Sequence, residues 1–253
     1  MPTYEDEAIV LRQYPLAESD SIVVCVAPEL GKVRAVAHGI KRAKSRFAGC
    51  LEPLNHIRVV FFNREGRDLG NIRHAELIHS YSGRIPTLNH IFAFTFFAEL
   101  VHALAQENQS SHALFRLLLA SLKAGEKKAA ILPLVRYFEI WCLKIGGFYP
   151  NYDNCSSCGK FLKEDGFHAL IKDGTALCGN CGPRDGIFVG TAAATSLQRI
   201  MKCPPEDFAA IPLETEACRQ LERLAHGLLA QNLDSPLKSY RILKEALLNQ
   251  IED

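Results

Sequence analysis

The sequence lacks the short motifs with which common enzyme classes bind phosphate groups, activate a serine or hold a catalytic zinc ion. It contains no G-x-x-x-x-G-K-S/T loop, no G-x-G-x-x-G turn, no G-x-S-x-G elbow and no H-E-x-x-H helix. These absences favour a binding protein and predict no enzymatic activity. A nuclease without a recognisable motif is the weakest alternative.

Segments for export or membrane insertion are also missing. The N-terminal stretch MPTYEDEAIVL carries three acidic residues and no basic one, unlike an export signal. The longest apolar run, residues 90–105, contains Glu99 and His102 and is too short to span a bilayer. With nine cysteines, an odd number, metal binding or free thiols are expected rather than a disulfide framework. We therefore expect a cytoplasmic protein with no membrane partner.

One stretch has no acidic residue at all. Between Glu29 and Glu52 there are six basic side chains, although the whole chain carries a net charge of only +1. They are Lys32, Arg34, Lys41, Arg42, Lys44 and Arg46. Like charges at this density repel one another unless water or a polyanion screens them. The stretch is therefore either a solvated face or a binding site for phosphate groups.

The first 80 residues have the pattern of an antiparallel β protein. Strands are predicted over residues 8–14, 21–27, 32–38, 51–63 and 68–78, with turns about every ten residues. Five strands of this length indicate a small closed or partly open barrel of the size of an OB-fold. Alternation along the third strand places Lys32 and Arg34 on one face, followed by a basic loop over residues 40–48.

The hydrophobic period changes to that of helices after about residue 86. Helices are predicted over residues 88–106, 112–123, 130–145, 191–201, 213–232 and 239–252. Strands followed by helices make the fold α+β. We predict an OB-fold domain over residues 1–80 and a helical domain over residues 81–253, with an insert at about residues 150–190.

The insert contains two C-x-x-C pairs. Cys155 and Cys158 are separated from Cys178 and Cys181 by 19 residues, a spacing typical of a four-cysteine zinc site. Short strands over residues 167–171 and 175–177 flank a hairpin turn at Asp173-Gly174. Four thiolates leave no open coordination position, so one structural Zn²⁺ is expected. Chance spacing or a redox pair is the alternative.

Several short segments occur along the chain in a characteristic order. They are Ala8-Ile9-Val10-Leu11-Arg12, Tyr14, Glu18-Ser19-Asp20, Gly31-Lys32-Val33, Ala37-His38-Gly39, Lys44-Ser45-Arg46, Leu51-Glu52-Pro53, Ala75-Glu76-Leu77, Gly146-Gly147-Phe148 with Pro150, and Leu237-Lys238-Ser239. In this order, together with the cysteine insert, they resemble the RecO family of bacterial recombination mediators over essentially the whole chain. His38 departs from the pattern, because many relatives carry lysine there.

The resemblance implies an OB-fold domain, a helical domain and a zinc finger. It also implies binding of single- and double-stranded DNA, annealing of complementary strands, and loading of the recombinase onto DNA coated with single-strand-binding protein. The implied partners are RecR and the acidic C-terminal tail of single-strand-binding protein, and the implied location is the cytoplasm, in association with the nucleoid. Some relatives lack the cysteines, so the family's shared activity does not depend on the metal.

Candidate binding residues follow from the basic stretch and from the family resemblance. We expect phosphate contacts from Lys32, Arg34, Lys41, Arg42, Lys44 and Arg46, with Arg12 as a weaker candidate and Phe47 as a base-stacking candidate. An acidic tail requires basic groups around an apolar pocket. Candidates on the helical region are Arg116, Lys123, Lys127, Lys128 and Arg136. The alternatives are an RNA-binding OB-fold and zinc-ribbon factor, or a protein-interaction scaffold that uses the basic loop.

Overall fold

The computed structural model describes residues 3–62, 69–162, 166–182 and 186–248. The chain divides into two compact units, residues 1–126 together with 239–253, and residues 127–238. Among the described residues, no helix is both long enough and apolar enough to cross a membrane.

The first unit contains the predicted five-stranded barrel. Its strands are β1 (Thr3–Pro15), β2 (Ser21–Ala27), β3 (Gly31–Ala37), β4 (Asn55–Phe62) and β5 (Gly70–Ser80). They close in the order β1-β2-β3-β5-β4, which confirms the OB-fold prediction. Strand β4 begins at Asn55 instead of residue 51, because residues 51–54 form a turn. The turn predicted at residues 63–66 lies outside the described residues.

Small and β-branched side chains fill the barrel interior. Ala8, Cys25, Ala35 and Val59 are fully buried, and Phe61 is 3% exposed. These residues follow the period of two that places alternate side chains inside. The barrel core combines these small residues with larger aromatic and aliphatic side chains. The small residues leave room for the large ones, so the strands can close tightly.

The outward face of β1 and β2 is also buried. Ile9, Val24 and Val26 point away from the interior, yet each is at most 1% exposed. Helices α1 (Leu88–Leu104) and α2 (His112–Glu126) pack against β1, and α2 also packs against β2. If no helix covered the barrel, this outward face would be in contact with solvent and polar side chains would be expected on it. The helices therefore complete the core of the first unit.

The C-terminal helix α7 (Lys238–Leu248) returns to the first unit. The backbone N–H of Ser239 donates a hydrogen bond of 2.8 Å to the buried Glu99 carboxylate on α1, and its hydroxyl donates to the same oxygen. The ring of Tyr240 lies 5.7 Å from that of Phe96. A carboxylate at a helix N-terminus is favourable because it accepts from free N–H groups and complements the helix dipole.

The second unit combines helices with a small sheet. Its elements are α3 (Ile131–Ile145), β6 (Phe167–Leu170), β7 (Thr175–Cys178), β8 (Ile187–Val189), α4 (Thr191–Ile200), α5 (Pro205–Ala209) and α6 (Thr215–Asn232). The sheet order is β7-β6-β8. The hairpin was expected, whereas β8 and α5 are too short for a periodic pattern. The compact units divide the chain after residue 126 and again after residue 238. The predicted boundary at residue 80 instead marks the change from strands to helices.

Candidate nucleic-acid interface and metal centre

The predicted basic loop extends over residues 38–54, the whole segment that joins β3 to β4, and the name basic loop is used for this segment from here on. It consists of successive tight turns, and Phe47 and Leu51, each 1% exposed, are buried in the barrel core. The buried Asn55 side chain donates to the carbonyls of Gly49 and Cys50 at 2.8 and 3.0 Å. The basic loop is therefore held from within and closes one end of the barrel.

A second set of contacts ties the basic loop to the turn between β1 and β2. Asp20 accepts a 2.8 Å hydrogen bond from the Gly39 N–H and lies 2.7 Å from Nδ1 of His38. The Gly39 N–H, followed by the His38 ring, lowers the pKa of Asp20 to about 2. The Lys41 ammonium donates to the Ala17 carbonyl at 3.0 Å. These contacts anchor the first residues of the basic loop to the neighbouring turn.

The four loop cations lie at the surface. Lys41, Arg42, Lys44 and Arg46 are all exposed. Arg46 lies 4.7 Å above the buried ring of Phe47 and is 3.5 Å from the Ile72 carbonyl. None of the four forms an ion pair with a carboxylate in the part of the chain that the structure describes. The prediction that Phe47 stacks on bases is wrong, because that side chain is inside the barrel.

The remaining predicted cations lie on the outward face that α1 covers. Arg12 and Arg34 both neighbour Val24 in the sheet, and Lys32 neighbours Val26. Arg12 pairs with Glu99 at 2.7 Å, and the Lys32 ammonium donates to the His102 carbonyl of α1 at 3.1 Å. The set Arg12, Lys32 and Arg34 is called the strand cations.

Arg34 is the most accessible strand cation. Its side chain is 45% exposed and lies 3.8 Å from Glu107, just beyond α1. Lys32 lies near the start of β3 and the basic loop follows its end, about 20 Å away at about 3.3 Å per residue. The structure therefore separates the predicted basic stretch into two sets. Lys32 and Arg34 contact α1 or the segment after it, whereas the loop set has no carboxylate partner among the described residues.

Four cysteine side chains of the second unit converge. The Sγ atoms of Cys155, Cys158, Cys178 and Cys181 lie within 4.8 Å of one another, and those of Cys158 and Cys178 are 3.8 Å apart. Two sulfurs bound to one tetrahedral ion at about 2.3 Å are separated by about 3.8 Å. The cluster can therefore hold a metal ion.

Local backbone geometry builds this cluster. The N–H of Gly159 donates to the Cys155 carbonyl at 2.9 Å, and Gly159 adopts φ +74°, which glycine tolerates without strain. The Ser156 N–H donates to the Ala176 carbonyl at 2.8 Å and so joins the first pair to β7. A Cβ on Gly182 would lie 2.4 Å from the His168 ring, so the second pair also needs glycine after it.

Hydrogen bonds within the cluster tune its thiols. Backbone N–H groups, first that of Cys178, lower the pKa of Cys155 to about 6. The Cys181 N–H is the main group that lowers the pKa of Cys178. Conversely, the sulfurs of Cys178 and Cys158 raise the pKa of Cys181 to about 12, because thiolates this close must share protons. A bound cation would take the place of those protons.

The predicted partner-binding cations lie in different environments. Arg116 is exposed on α2. Arg136, by contrast, is 3% exposed and lies 3.1 Å from Glu139, which is fully buried. Burial raises the pKa of Glu139 to about 7 in spite of the arginine. The prediction that Arg136 lies on a partner-binding surface is wrong, because α3 is buried on nearly every face.

The second unit has a cavity of about 500 Å³ that the sequence did not predict. Tyr149, Tyr152 and Phe167 supply aromatic walls, and the two lysines Lys144 and Lys202 outnumber one carboxylate, Asp153. The cavity forms where the segment leading to Cys155 meets α3 and α4. Its residues are spread over some 60 positions, so no local pattern could identify it.

Comparisons with known proteins agree with this architecture. The family model described as Recombination protein O N terminal matches residues 1–81, and that described as Recombination protein O C terminal matches residues 86–241. A protein of Geobacter metallireducens named DNA repair protein RecO is 35% identical over 245 residues, covering 97% of this chain and 98% of the relative. A protein of the same name from Koribacter versatilis is 30% identical over 239 residues, covering 94% of this chain and 97% of the relative. The chain therefore belongs to the RecO family of DNA repair proteins.

Proposed function

We propose that the protein is a recombination mediator that binds single- and double-stranded DNA through the basic loop. The observation that carries this proposal is the set of four exposed cations on a rigidly held loop, without ionic partners among the described residues. Phosphate groups are the partners that such a set lacks. Binding of this kind depends on charge and is largely independent of sequence.

Annealing follows from the same surface. Two complementary strands repel each other through their phosphates, and a shared cationic surface neutralises that repulsion while the bases pair. The step forms and breaks no covalent bond. We therefore propose that annealing needs no ATP and that the protein is not an enzyme. An ATP requirement in annealing by the purified protein would contradict this mechanism.

The protein is further proposed to load the recombinase onto coated DNA, acting in the cytoplasm with RecR. Its second partner would be the acidic C-terminal tail of single-strand-binding protein. The cavity of the second unit supports this, because it combines aromatic walls with Lys144 and Lys202. Arg116 remains a candidate on the first unit. Lys144→Glu should weaken binding of an acidic tail peptide in a surface-plasmon measurement, whereas Lys172→Glu, an exposed lysine outside the cavity, should not.

The cysteine cluster is proposed to bind one structural Zn²⁺. All four ligand positions are occupied by thiolates, so no site remains for water or substrate. Its role would be to hold the segments around β6 and β7, which bury few large side chains of their own.

The test of DNA binding is fluorescence anisotropy of a labelled single-stranded oligonucleotide over a salt series. The loop variant reverses all four charges, with Lys41→Glu, Arg42→Glu, Lys44→Glu and Arg46→Glu. A matched control reverses four exposed cations elsewhere, with Lys172→Glu, Arg219→Glu, Arg223→Glu and Arg241→Glu.

The wild type and the control should bind with a steep salt dependence, about −0.7 per phosphate contact for single strands. The loop variant should bind more weakly, with a slope shallower by about 3. Equal losses in both variants would show a general effect of net charge and contradict the proposal. Preference for matched RNA over DNA would instead favour an RNA-binding factor. Absence of any nucleic-acid binding at low salt would favour a protein-interaction scaffold.

A further inference from the structure

A cavity of about 600 Å³ lies at the end of the barrel away from the basic loop. It is lined by the start of β1, the first residues of β3, the end of β4 and the segment after α1. None of the functional residues of the basic loop contributes to it.

The cavity exists because β3 and β5 are only partly paired. They pair at Ala35–Gly70 and Val36–Asn71, and no strand of the described residues pairs with the first half of β3 on that edge. The segment after α1 fills part of the gap, since the Lys32 N–H donates to the Gln106 carbonyl at 2.9 Å. Gly31 permits this approach, because a Cβ there would lie 1.9 Å from the Gln109 carbonyl oxygen.

Three aromatic residues line one side of the cavity, among charged and polar side chains. Phe61 is 3% exposed and closes the cavity toward the barrel core. Tyr4 is 44% exposed, although it neighbours Phe61 across the β1–β4 pair, and Phe62 is partly buried beside it. A solvent-exposed ring at the edge of a cavity, with further rings inside, suits a flat aromatic ligand.

The charges around the cavity cancel. Lys32 and Arg34 are balanced by Glu29 and Glu107, and Arg34 already lies 3.8 Å from Glu107. A phosphate group would meet carboxylates here, whereas a neutral heterocycle would not be repelled. The Asn108 amide and the two carboxylates add hydrogen-bonding groups that suit the polar edge of a base.

We propose that this cavity, the base pocket, receives one unpaired nucleobase of a DNA strand whose phosphates lie on the basic loop. The inference rests on the proposed DNA binding and adds base stacking to it. The base pocket and the basic loop lie at opposite ends of β3, about 20 Å apart. A strand of several nucleotides spans that distance, within the site size of about 4 to 16 nucleotides per OB fold.

The test compares Tyr4→Ala with Tyr4→Phe, which keeps the ring, and with Phe188→Ala, which removes an exposed ring of the second unit. Each is titrated against an oligothymidylate of about 16 nucleotides and against a duplex of the same length over a salt series. Tyr4→Ala should bind the single strand at least about 5-fold more weakly, the loss of about one stacking contact. Its salt slope and its affinity for the duplex should match the wild type, because no cation is removed and paired bases cannot enter the base pocket.

A second measurement uses photo-crosslinking with 5-iododeoxyuridine in the oligonucleotide, followed by mass spectrometry. Adducts are expected on Tyr4 or Phe62. The base pocket is refuted if Tyr4→Ala binds the single strand like the wild type, if it loses single strand and duplex equally, or if adducts fall only on the basic loop. A wild type that binds neither nucleic acid refutes the proposed function itself.

Discussion

The cysteine cluster and the basic loop each gather four side chains of one chemical kind, but they arrange them differently. Cys155 and Cys178 are buried, Cys181 is partly buried and Cys158 is exposed, and all four sulfurs lie within 4.8 Å of one another. The loop cations diverge into solvent while the buried Phe47 holds their backbone. Convergent groups of this kind suit a small ion that would become part of the fold, whereas divergent, exposed groups suit an extended polyanion from outside.

The strand cations show a third arrangement. Arg12, Lys32 and Arg34 have the same chemistry as the loop cations, but α1 and the segment after it supply their partners, Glu99, the His102 carbonyl and Glu107. Similar residues in one stretch of sequence thus serve stability in one place and remain available for binding in another. The difference depends on whether α1 or the segment after it lies over the cation.

The largest expected effect tests the cysteine cluster. Cys178→Ser should lose the bound zinc and unfold the segments around β6 and β7, because structural zinc contributes about 10 to 16 kcal/mol in zinc-finger peptides at neutral pH. The basic loop should keep its DNA affinity, since it belongs to the other unit. Metal analysis and limited proteolysis measure the first effect, and anisotropy measures the second. Cys203→Ser, outside the cluster, is the control, and a Cys178→Ser protein that retains one zinc ion would break the comparison.

A smaller effect tests the strand cations. Glu99→Ala removes the partner of Arg12 and the acceptor for Ser239 at the start of α7. We expect a loss of about 2 kcal/mol in the free energy of unfolding, since hydrogen bonds to charged groups contribute about 1.5 to 3 kcal/mol. Denaturant unfolding measures this. The salt slope of DNA binding should not become shallower.

Glu107→Ala is the matched control for that prediction, because its contact with Arg34 is long and both side chains are about 45% exposed. It should cost less than about 1 kcal/mol, as exposed ion pairs do. Equal losses in the two variants would mean that burial does not distinguish the strand cations from one another.

Local features of the fold and the site were predictable from sequence, and long-range ones were not. Alternating residues such as Ala35 and Val59 indicate strands, and the spacing from Cys155 to Cys181 indicates the metal centre, since both patterns lie within short segments. The burial of Val24 on the outward face of β2 depends on α2, more than 80 residues away. Arg136 was misplaced for a similar reason, because a helix buried on nearly all sides shows no polar face by which an inward position can be recognised.

The smallest expected effect concerns pH and returns to the strand cations. Burial, followed by Lys32 and Arg12, lowers the pKa of His102 below its usual value of 6.5, and burial lowers that of His56. Protonation of both rings is therefore less favourable in the folded state than in the unfolded state. A histidine whose folded pKa is lowered contributes no penalty above pH 6.5, and the protein loses stability as the pH falls from there through the folded pKa. Glu99, whose pKa is also lowered, affects stability only below about pH 4.5, where its unfolded form begins to bind protons.

Between pH 7.5 and pH 5.5 the wild type should therefore lose more stability than a His56→Gln, His102→Gln variant. The difference should be on the order of 1 kcal/mol, because pH 5.5 is only about one unit below the usual histidine pKa of 6.5. Denaturant unfolding of both proteins at the two pH values measures it, and any protonation of the cysteine cluster affects both equally. Identical losses would mean that neither ring has a lowered pKa in the folded state. A larger loss in the wild type would show that the first unit disfavours positive charge at these rings, through burial first and, at His102, through Lys32 and Arg12, whereas the loop cations are exposed to solvent.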